Sequence, residues 1–483
     1  MFSWKIHFIK QMRKKLLLSI LTIIGIFFIT LFYLSYFGIK TNNLNSFIEN
    51  KVKSYDSRLA LKLNEVFLKL SLNEFSIKVN IKDSSIGIKE NYIGIDKIDV
   101  NLNLIKFFRN KNSIEKVQIV TDENKITEIT EFLNLYKFNL ARSVIYSQIN
   151  EGKIKAIANI IFDKKDESKT FYEIKGYVEN AKLNLIGFGE LNNINFKFNI
   201  KDKKYNIENT IFEYQNINFN SKKINIIKSD KFFEVNGDLN NEKGLINTKS
   251  LSNLSSLNLD ILDEKKILIE TNNKFKFKIL SNRIIENFEF KSNLKFDELF
   301  TNKKYQNLIY LKSGEIETTY VNKNLSINLI SGFSFIDSKN KKKVNKDQNV
   351  LKLNIAKKGN ENFKIKGNLK NSEAHIDPKV LFEILKTNFD ILSTEKVLIS
   401  SNNEFEFQID KNNKIKYLSI NSILNYDKLN FNKNLQSPIY LEGGKVETFI
   451  KNKNYNVKID SKYSFFKDEY KNKKNNQKII FSR

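Results

Sequence analysis

IYLKSGEIETTYVNKN at residues 309–324 returns as IYLEGGKVETFIKNKN at residues 439–454, an offset of 439 − 309 = 130. The echo extends both ways at that offset. ILDEKKILIETNNKFKF (261–277) matches ILSTEKVLISSNNEFEF (391–407), and Leu294, Phe296, Asp297 and Leu299 match Leu424, Tyr426, Asp427 and Leu429. FEVNGDLNN from Phe233 matches FKIKGNLKN from Phe363, with Gly237 opposite Gly367. Two copies therefore run from about 225 to 345 and from about 355 to 475. The period exceeds the roughly 20–50 residues of a common solenoid unit, so each copy must hold several strands.

Strands are what the pattern dictates. In KFKFKI, Phe275, Phe277 and Ile279 alternate with Lys274, Lys276 and Lys278. Earlier in the chain Phe75, Ile77, Val79 and Ile81 alternate with Ser76, Lys78 and Asn80. Side chains on a strand point alternately to opposite faces, so each segment has one apolar and one wet face, the mark of antiparallel sheet covered on one side. Asn322–Asn324, Asn402–Asn403 and Lys411–Lys414 read as turns between strands. Two helices are expected in the body, Ile126–Tyr136 and Ile376–Leu385, the latter with Asp377 as N-cap and Pro378 as first helical residue.

A concatenated sheet lengthens with every module, whereas a closed barrel does not. The expected fold is mainly β: a long, curved, mostly antiparallel repeat sheet forming an open apolar groove, with few short helices. The tail KNKKNNQKIIFSR (471–483) aligns with KKKVNKDQNVLKL (341–353), so a further copy begins where the chain stops.

The N-terminus sets the topology. Lys5, Lys10, Arg13, Lys14 and Lys15 precede the uncharged run Leu16–Ile39, and no acidic residue appears before Glu49. At 1.5 Å per residue about 24 residues reach roughly 36 Å, enough for a hydrocarbon core of about 30 Å. The run is too long for a signal-peptide core, and Tyr33, Tyr36 and Phe37 stand where small residues would be needed for cleavage. The basic flank places the N-terminus in the cytoplasm and the body outside it. Leu44, Phe47, Ile48 and Val52 then follow helical spacing.

Composition narrows the function classes. The 483 residues carry a net charge of +27, yet Phe and Lys alternate and so fall on opposite faces, which ranks a nucleic-acid binder last. No Cys is present, and His occurs only at His7 and His375, leaving little for a metal site or a His-based triad. GFGELN (187–192) lacks the third Gly of a dinucleotide loop, and Glu315 and Glu317 fall on the outward face of a strand. No catalytic, cofactor-binding or metal-binding residue is assigned, and no enzyme is expected.

The stretch NEVFLKLSLNEFSIKVNIKDSSIGIKENYIGIDKIDVNLNLIKFFRNKNSIEKVQIVTDEN (64–124), behind a basic tail, one span and a short helix, resembles the start of AsmA-like envelope proteins. In that family a segment like IGIDKIDVNLNLIKFF is a strand running into a short apolar helical turn, followed by a strand here at Ile114–Val120. The resemblance covers residues 1 to about 135; the repeats fit the family in style only. It implies a single-pass protein of the bacterial inner membrane whose periplasmic groove carries phospholipid acyl chains towards the outer membrane. About 30 strands spaced roughly 4.8 Å apart would reach on the order of 140 Å at most, so a periplasmic or outer-membrane partner is expected at the C-terminal end.

The expected organisation is a basic tail (1–15), a transmembrane helix (16–39), an amphipathic linker helix (40–63), an AsmA-like β module (64–140), a β-groove continuation (141–224) and two repeat modules (225–354 and 355–483). Candidate groove-lining residues are Phe75, Ile77, Val79, Ile81, Phe275, Phe277, Ile279, Ile316, Phe405, Phe407 and Ile409. The alternative is a membrane-tethered structural or partner-binding β-rod that carries no lipid.

Overall fold

The computed structural model describes residues 2–109, 113–138, 143, 146–163, 170–185, 189–247, 266–282, 284–300, 309–336, 343–344, 349–376, 397–410, 414–431, 439–452, 454–464 and 475–482. The protein is mainly β, an antiparallel sheet of long strands with few helices. Its contacts divide it into two units, residues 1–213 with 225–228, and residues 214–224 with 229–483.

The first unit opens with the helix Phe2–Tyr36, of which Lys14–Tyr36 has a mean hydropathy of 2.6 and contains no buried residue. By length and composition this segment can cross a membrane. It ends earlier than the expected 16–39, because Gly38 at φ +70 turns the chain into a strand, Ile39–Thr41, that pairs with Glu65–Ser71. The linker also differs from a helix over 40–63. Its helix is confined to Asn45–Tyr55, and Leu59–Lys62 is a strand paired with Ser76–Ile88. Asn45 ties the helix start down by donating from Nδ2 to the carbonyls of Leu63 (3.2 Å) and Asn64 (3.0 Å), while the Glu49 carboxylate accepts from the Leu63 amide at 3.2 Å.

Strands Glu65–Ser71, Ser76–Ile88, Asn91–Asn103 and Ile114–Thr121 pair in chain order, and Asn91–Asn103 runs into the short helix Leu104–Phe108. Ile149–Phe162 then joins Ile114–Thr121, followed by Thr170–Leu185 and Gly189–Lys201. The helix Ile126–Tyr136 has the bounds its periodicity predicts. The Asn45–Tyr55 and Ile126–Tyr136 helices cover one sheet face. Leu44 and Ile48 pack on Val66, Val79 and Ile81; Val52, Ile129 and Leu133 pack on Leu59, Ile88 and Ile93; Ile126 packs on Val178 and Ala181.

The second unit is a ladder in which Phe232–Asn247, Lys266–Leu280, Ile285–Phe300, Ile309–Val321, Asn324–Ile336, Val350–Lys357 and Phe363–Ile376 pair successively. Val397–Ile409, Ile415–Phe431, Ile439–Lys451, Asn454–Ser464 and Asn475–Ser482 continue it. The sequence repeat is a repeat of register. Ile269 faces Phe296 as Ile399 faces Tyr426, and Leu294 faces Ile316 as Leu424 faces Val446. Irregularities repeat too, between Asn241 and Gly244 and between Asn371 and Ala374, and again between Lys312 and Glu315 and between Glu442 and Lys445.

The tail departs from the alignment above. Ile479 faces Ile459 as Leu353 faces Leu329, an offset of 479 − 353 = 126 on one strand against 459 − 329 = 130 on the other. The last strand therefore corresponds to Val350–Lys357 with four fewer residues before it. Asn322 and Lys323, at φ +51 and +64, form the expected tight turn. Asn402–Asn403 is no turn but mid-strand in Val397–Ile409. Ile376 ends a strand, and the helix expected over 376–385 otherwise lies outside the described residues, as do residues 411–413 of the expected turn Lys411–Lys414.

The repeated phrase IYLKSGEIETTYVNKN and IYLEGGKVETFIKNKN has a local explanation. Both copies place two residues, Ser313–Gly314 and Gly443–Gly444, in a bulge, with the first at positive φ (+49 and +60). Only one copy has glycine there. Ser313 carries the left-handed conformation with a Cβ, which costs on the order of 1 kcal/mol. Ser313→Gly is expected to raise stability by about 0.5 kcal/mol or more, read as a higher urea midpoint, and Gly443→Ser to lower it similarly.

Candidate ligand face

The second unit presents one apolar face, organised in three bands that run from strand to strand. The first is a buried cluster: Ile267, Ile269 and Phe296 in one copy, Val397, Ile399 and Tyr426 in the other, with relative exposures of 2–5%. Ile316 packs against the first of these, as does Val446 against the second.

The second band is aromatic and only partly covered. The Phe275 and Phe277 rings stack at 6.0 Å, Phe277 meets Phe288 at 6.3 Å, and Phe288 continues to Phe290 at 6.3 Å and to Tyr320 at 5.8 Å. In the other copy Phe405 and Phe407 stack at 6.1 Å, and Ile420 and Leu418 stand opposite them. The strip ends at Ile279 opposite Ile285 and at Ile409 opposite Ile415, where Ile285 is 58% and Ile415 61% exposed.

Between these bands lies a polar row that the sequence reading missed. Asn273 donates from Nδ2 to the Leu239 carbonyl (2.6 Å) and to Thr271 Oγ1 (2.9 Å), and Ser292 Oγ donates to Asn273 Oδ1 at 2.6 Å. Asn403 repeats this with the Leu369 carbonyl (3.1 Å), Ser401 Oγ (3.0 Å) and Ser422 (2.5 Å). Asn241 and Asn371 donate to the carbonyls of Ile269 and Ile399, at 3.2 and 3.0 Å, beside their bulges. A hydrogen bond of this kind contributes only about 1 kcal/mol net. Its larger effect is on specificity, since a one-residue slip would strand these amides against apolar neighbours. The available signal was the repetition of Asn-Asn at the same place inside two alternating runs.

The opposite face is charged and carries a series of ion pairs. Lys276 pairs with Glu234 (3.1 Å), and Glu406 takes both Lys364 (3.0 Å) and Lys366 (3.1 Å). Glu447 lies between Lys445 (2.5 Å) and Lys458 (3.1 Å), whose hydrogen bonds hold its carboxyl down to about 2. Lys278 lies over the Phe232 ring at 4.6 Å. Shallow depressions of about 620 and 1050 Å³ open mainly on this charged face, the first among Lys352, Lys366, Glu404 and Glu406, the second among Lys222, Asp238, Glu270 and Lys274. Their mixed charge selects neither anion nor cation. Glu315 and Glu317 also belong to this face, Glu315 accepting from Asn293 Nδ2 at 2.5 Å.

The structure thus sorts the candidate lining residues into four settings. Phe275, Phe277, Ile279, Phe405, Phe407 and Ile409 share the partly covered strip, and Ile316 packs, partly buried, against the buried cluster. Ile77, Val79 and Ile81 lie in a core that the Asn45–Tyr55 helix covers with Leu44 and Ile48. Phe75 departs from the alternation: it is a turn residue at φ +47, 60% exposed, and Ser76 takes the buried place behind it. Comparison of the chain with protein-family models, characterised proteins and solved structures finds no match in any of the three.

Proposed function

We propose that this protein is an inner-membrane-anchored periplasmic β-groove protein that carries phospholipid acyl chains between the inner and outer membranes. The observation that carries the reading is the aromatic strip: Phe275 with Phe277, and Phe405 with Phe407, recur at equivalent positions on an incompletely covered sheet face. An acyl chain laid on such a strip gains about 0.8 kcal/mol per buried methylene, so sixteen carbons are worth on the order of 12 kcal/mol before ordering losses. No polar recognition is needed, and the polar row gives the strip a defined margin along which tails could slide. The anchor reading draws on the apolar helix Lys14–Tyr36, and the topology on the lysines before it. The envelope setting draws on the family resemblance, and the expected partner at the C-terminal end on the limited reach of about 30 strands.

A structural β-rod is the competing reading, and the polar row favours it to this extent: it divides the apolar face and stabilises strand register without any ligand. Photo-crosslinking in cells separates the two. A benzophenone side chain at position 277 or 407 of the full chain is expected to form adducts with radiolabelled phospholipid. The same group in place of Phe449, which is 49% exposed but opposite Asn421, away from the strip, should not. Equal or absent labelling at all three positions would leave the rod as the better reading.

A further inference from the structure

Strands Glu65–Ser71, Ser76–Ile88 and Asn91–Asn103 have two very different ends. At one, Lys89 and Glu90 turn Ser76–Ile88 into Asn91–Asn103, as expected of a loop facing water. At the other, the turn after Ser71 and the helix Leu104–Phe108 lie side by side, joined by the Leu104 amide donating to the Phe75 carbonyl at 2.9 Å. That end is apolar. Leu72 is 42% exposed, Phe75 60%, Ile105 51% and Phe108 75%. Lys106 and Arg109 occupy the same short stretch.

The location of this patch identifies what it meets. Ile39 faces Leu68 in antiparallel register, so the residues before Ile39 run towards Ser71, and the Phe2–Tyr36 helix packs its C-terminal end on that strand. Phe37, 60% exposed, sits where the helix leaves off. The patch and the exit of the candidate membrane span therefore share one end of the unit. The backbone holds the patch outward: Phe75 keeps a positive φ that a bulky residue adopts only when its surroundings impose it, with Ser76 behind it fully buried. Asn103 Oδ1 accepts from the Lys106 amide at 3.0 Å, fixing the helix beside it. Exposed Phe and Leu mixed with Lys and Arg, level with the end of a transmembrane helix, is the composition of a segment seated in the membrane interface.

We infer that the first unit rests on the same bilayer its helix crosses, inserting Leu72, Phe75, Ile105 and Phe108 into the interfacial layer. The inference rests on the anchor reading, and the test distinguishes the two. Trp4 is the only tryptophan in the chain. With Trp4→Phe as background, single tryptophans are introduced as Phe27→Trp, Phe75→Trp, Phe108→Trp or Glu90→Trp, and the full chain is reconstituted into phosphatidylethanolamine–phosphatidylglycerol vesicles with brominated acyl chains. Tryptophans at 27, 75 and 108 are expected to be quenched about twofold or more, with blue-shifted emission, and that at 90 to be unaffected. Quenching at 27 with 75 and 108 behaving like 90 would overturn the inference and leave the anchor standing. No quenching at 27 would remove the anchor and the inference with it.

Discussion

Ile269→Ala and Ile399→Ala are each expected to cost about 2–4 kcal/mol, whereas Phe277→Ala and Phe407→Ala cost about 1 kcal/mol or less, although phenylalanine loses the larger side chain. Area alone predicts the reverse order. What decides is how much of each side chain is covered: Ile269 and Ile399 are 3% and 4% exposed within clusters that also hold Phe296 and Tyr426, so truncation leaves a cavity. The phenylalanines of the strip are less completely covered, and truncation there removes contacts without opening a sealed void. Urea unfolding of the full chain, followed by loss of β circular dichroism, measures the difference. Lipid crosslinking should respond in the opposite sense, surviving Ile269→Ala and falling when the strip phenylalanines are truncated. If the two sets of variants were equally destabilising, the strip would be core, and its reading as a ligand surface would fail.

Much of this architecture was legible because it follows from period and repetition. Alternation of Phe and Lys in KFKFKI fixes which face each side chain takes, and the 130-residue echo carries over into strand register almost residue for residue. The Ile126–Tyr136 helix was legible for the same reason, a sustained apolar period of helical type. What failed was local. Asn402–Asn403 reads as a turn because asparagine is depleted from strands, but here its amide is satisfied by the Leu369 carbonyl and by Ser401, partners separated from it or displaced along the strand in ways composition does not reveal. Phe75 looks like the first member of an alternating run, yet a turn at φ +47 sets it apart from Ile77. Alternation likewise cannot tell a face covered by a helix from one left open. Ile77, Val79 and Ile81 have the same pattern as Phe275, Phe277 and Ile279, and only the placement of Leu44 and Ile48 separates them.

Gly314→Val and Gly444→Val are expected to be among the most damaging single substitutions in the repeats. A Cβ at residue 314 would lie 2.0 Å from Cζ of Phe296, and one at residue 444 would lie 2.0 Å from Cζ of Tyr426. Each ring lies flat over the bare backbone of the glycine directly opposite on the next strand. This is why the phrase is written twice: SGEIET and GGKVET each supply a bulge residue, then a seat for the ring from the preceding strand. The rings are 3% and 5% exposed and cannot swing aside without opening the buried cluster. Overpacking of this kind costs about 1–3 kcal/mol, and moving the ring out of its cluster adds a term of the large-to-small kind, so a loss of about 3 kcal/mol or more is expected. Thermal and urea midpoints of the two variants check the size. A second measurement checks the cause: Phe296→Ala combined with Gly314→Val should cost clearly less than the sum of the two single changes, because the added methyls then occupy the space the ring has left. Additive costs would mean that glycine is required at residue 314 for its backbone alone, and that the ring seat is incidental to the repeat.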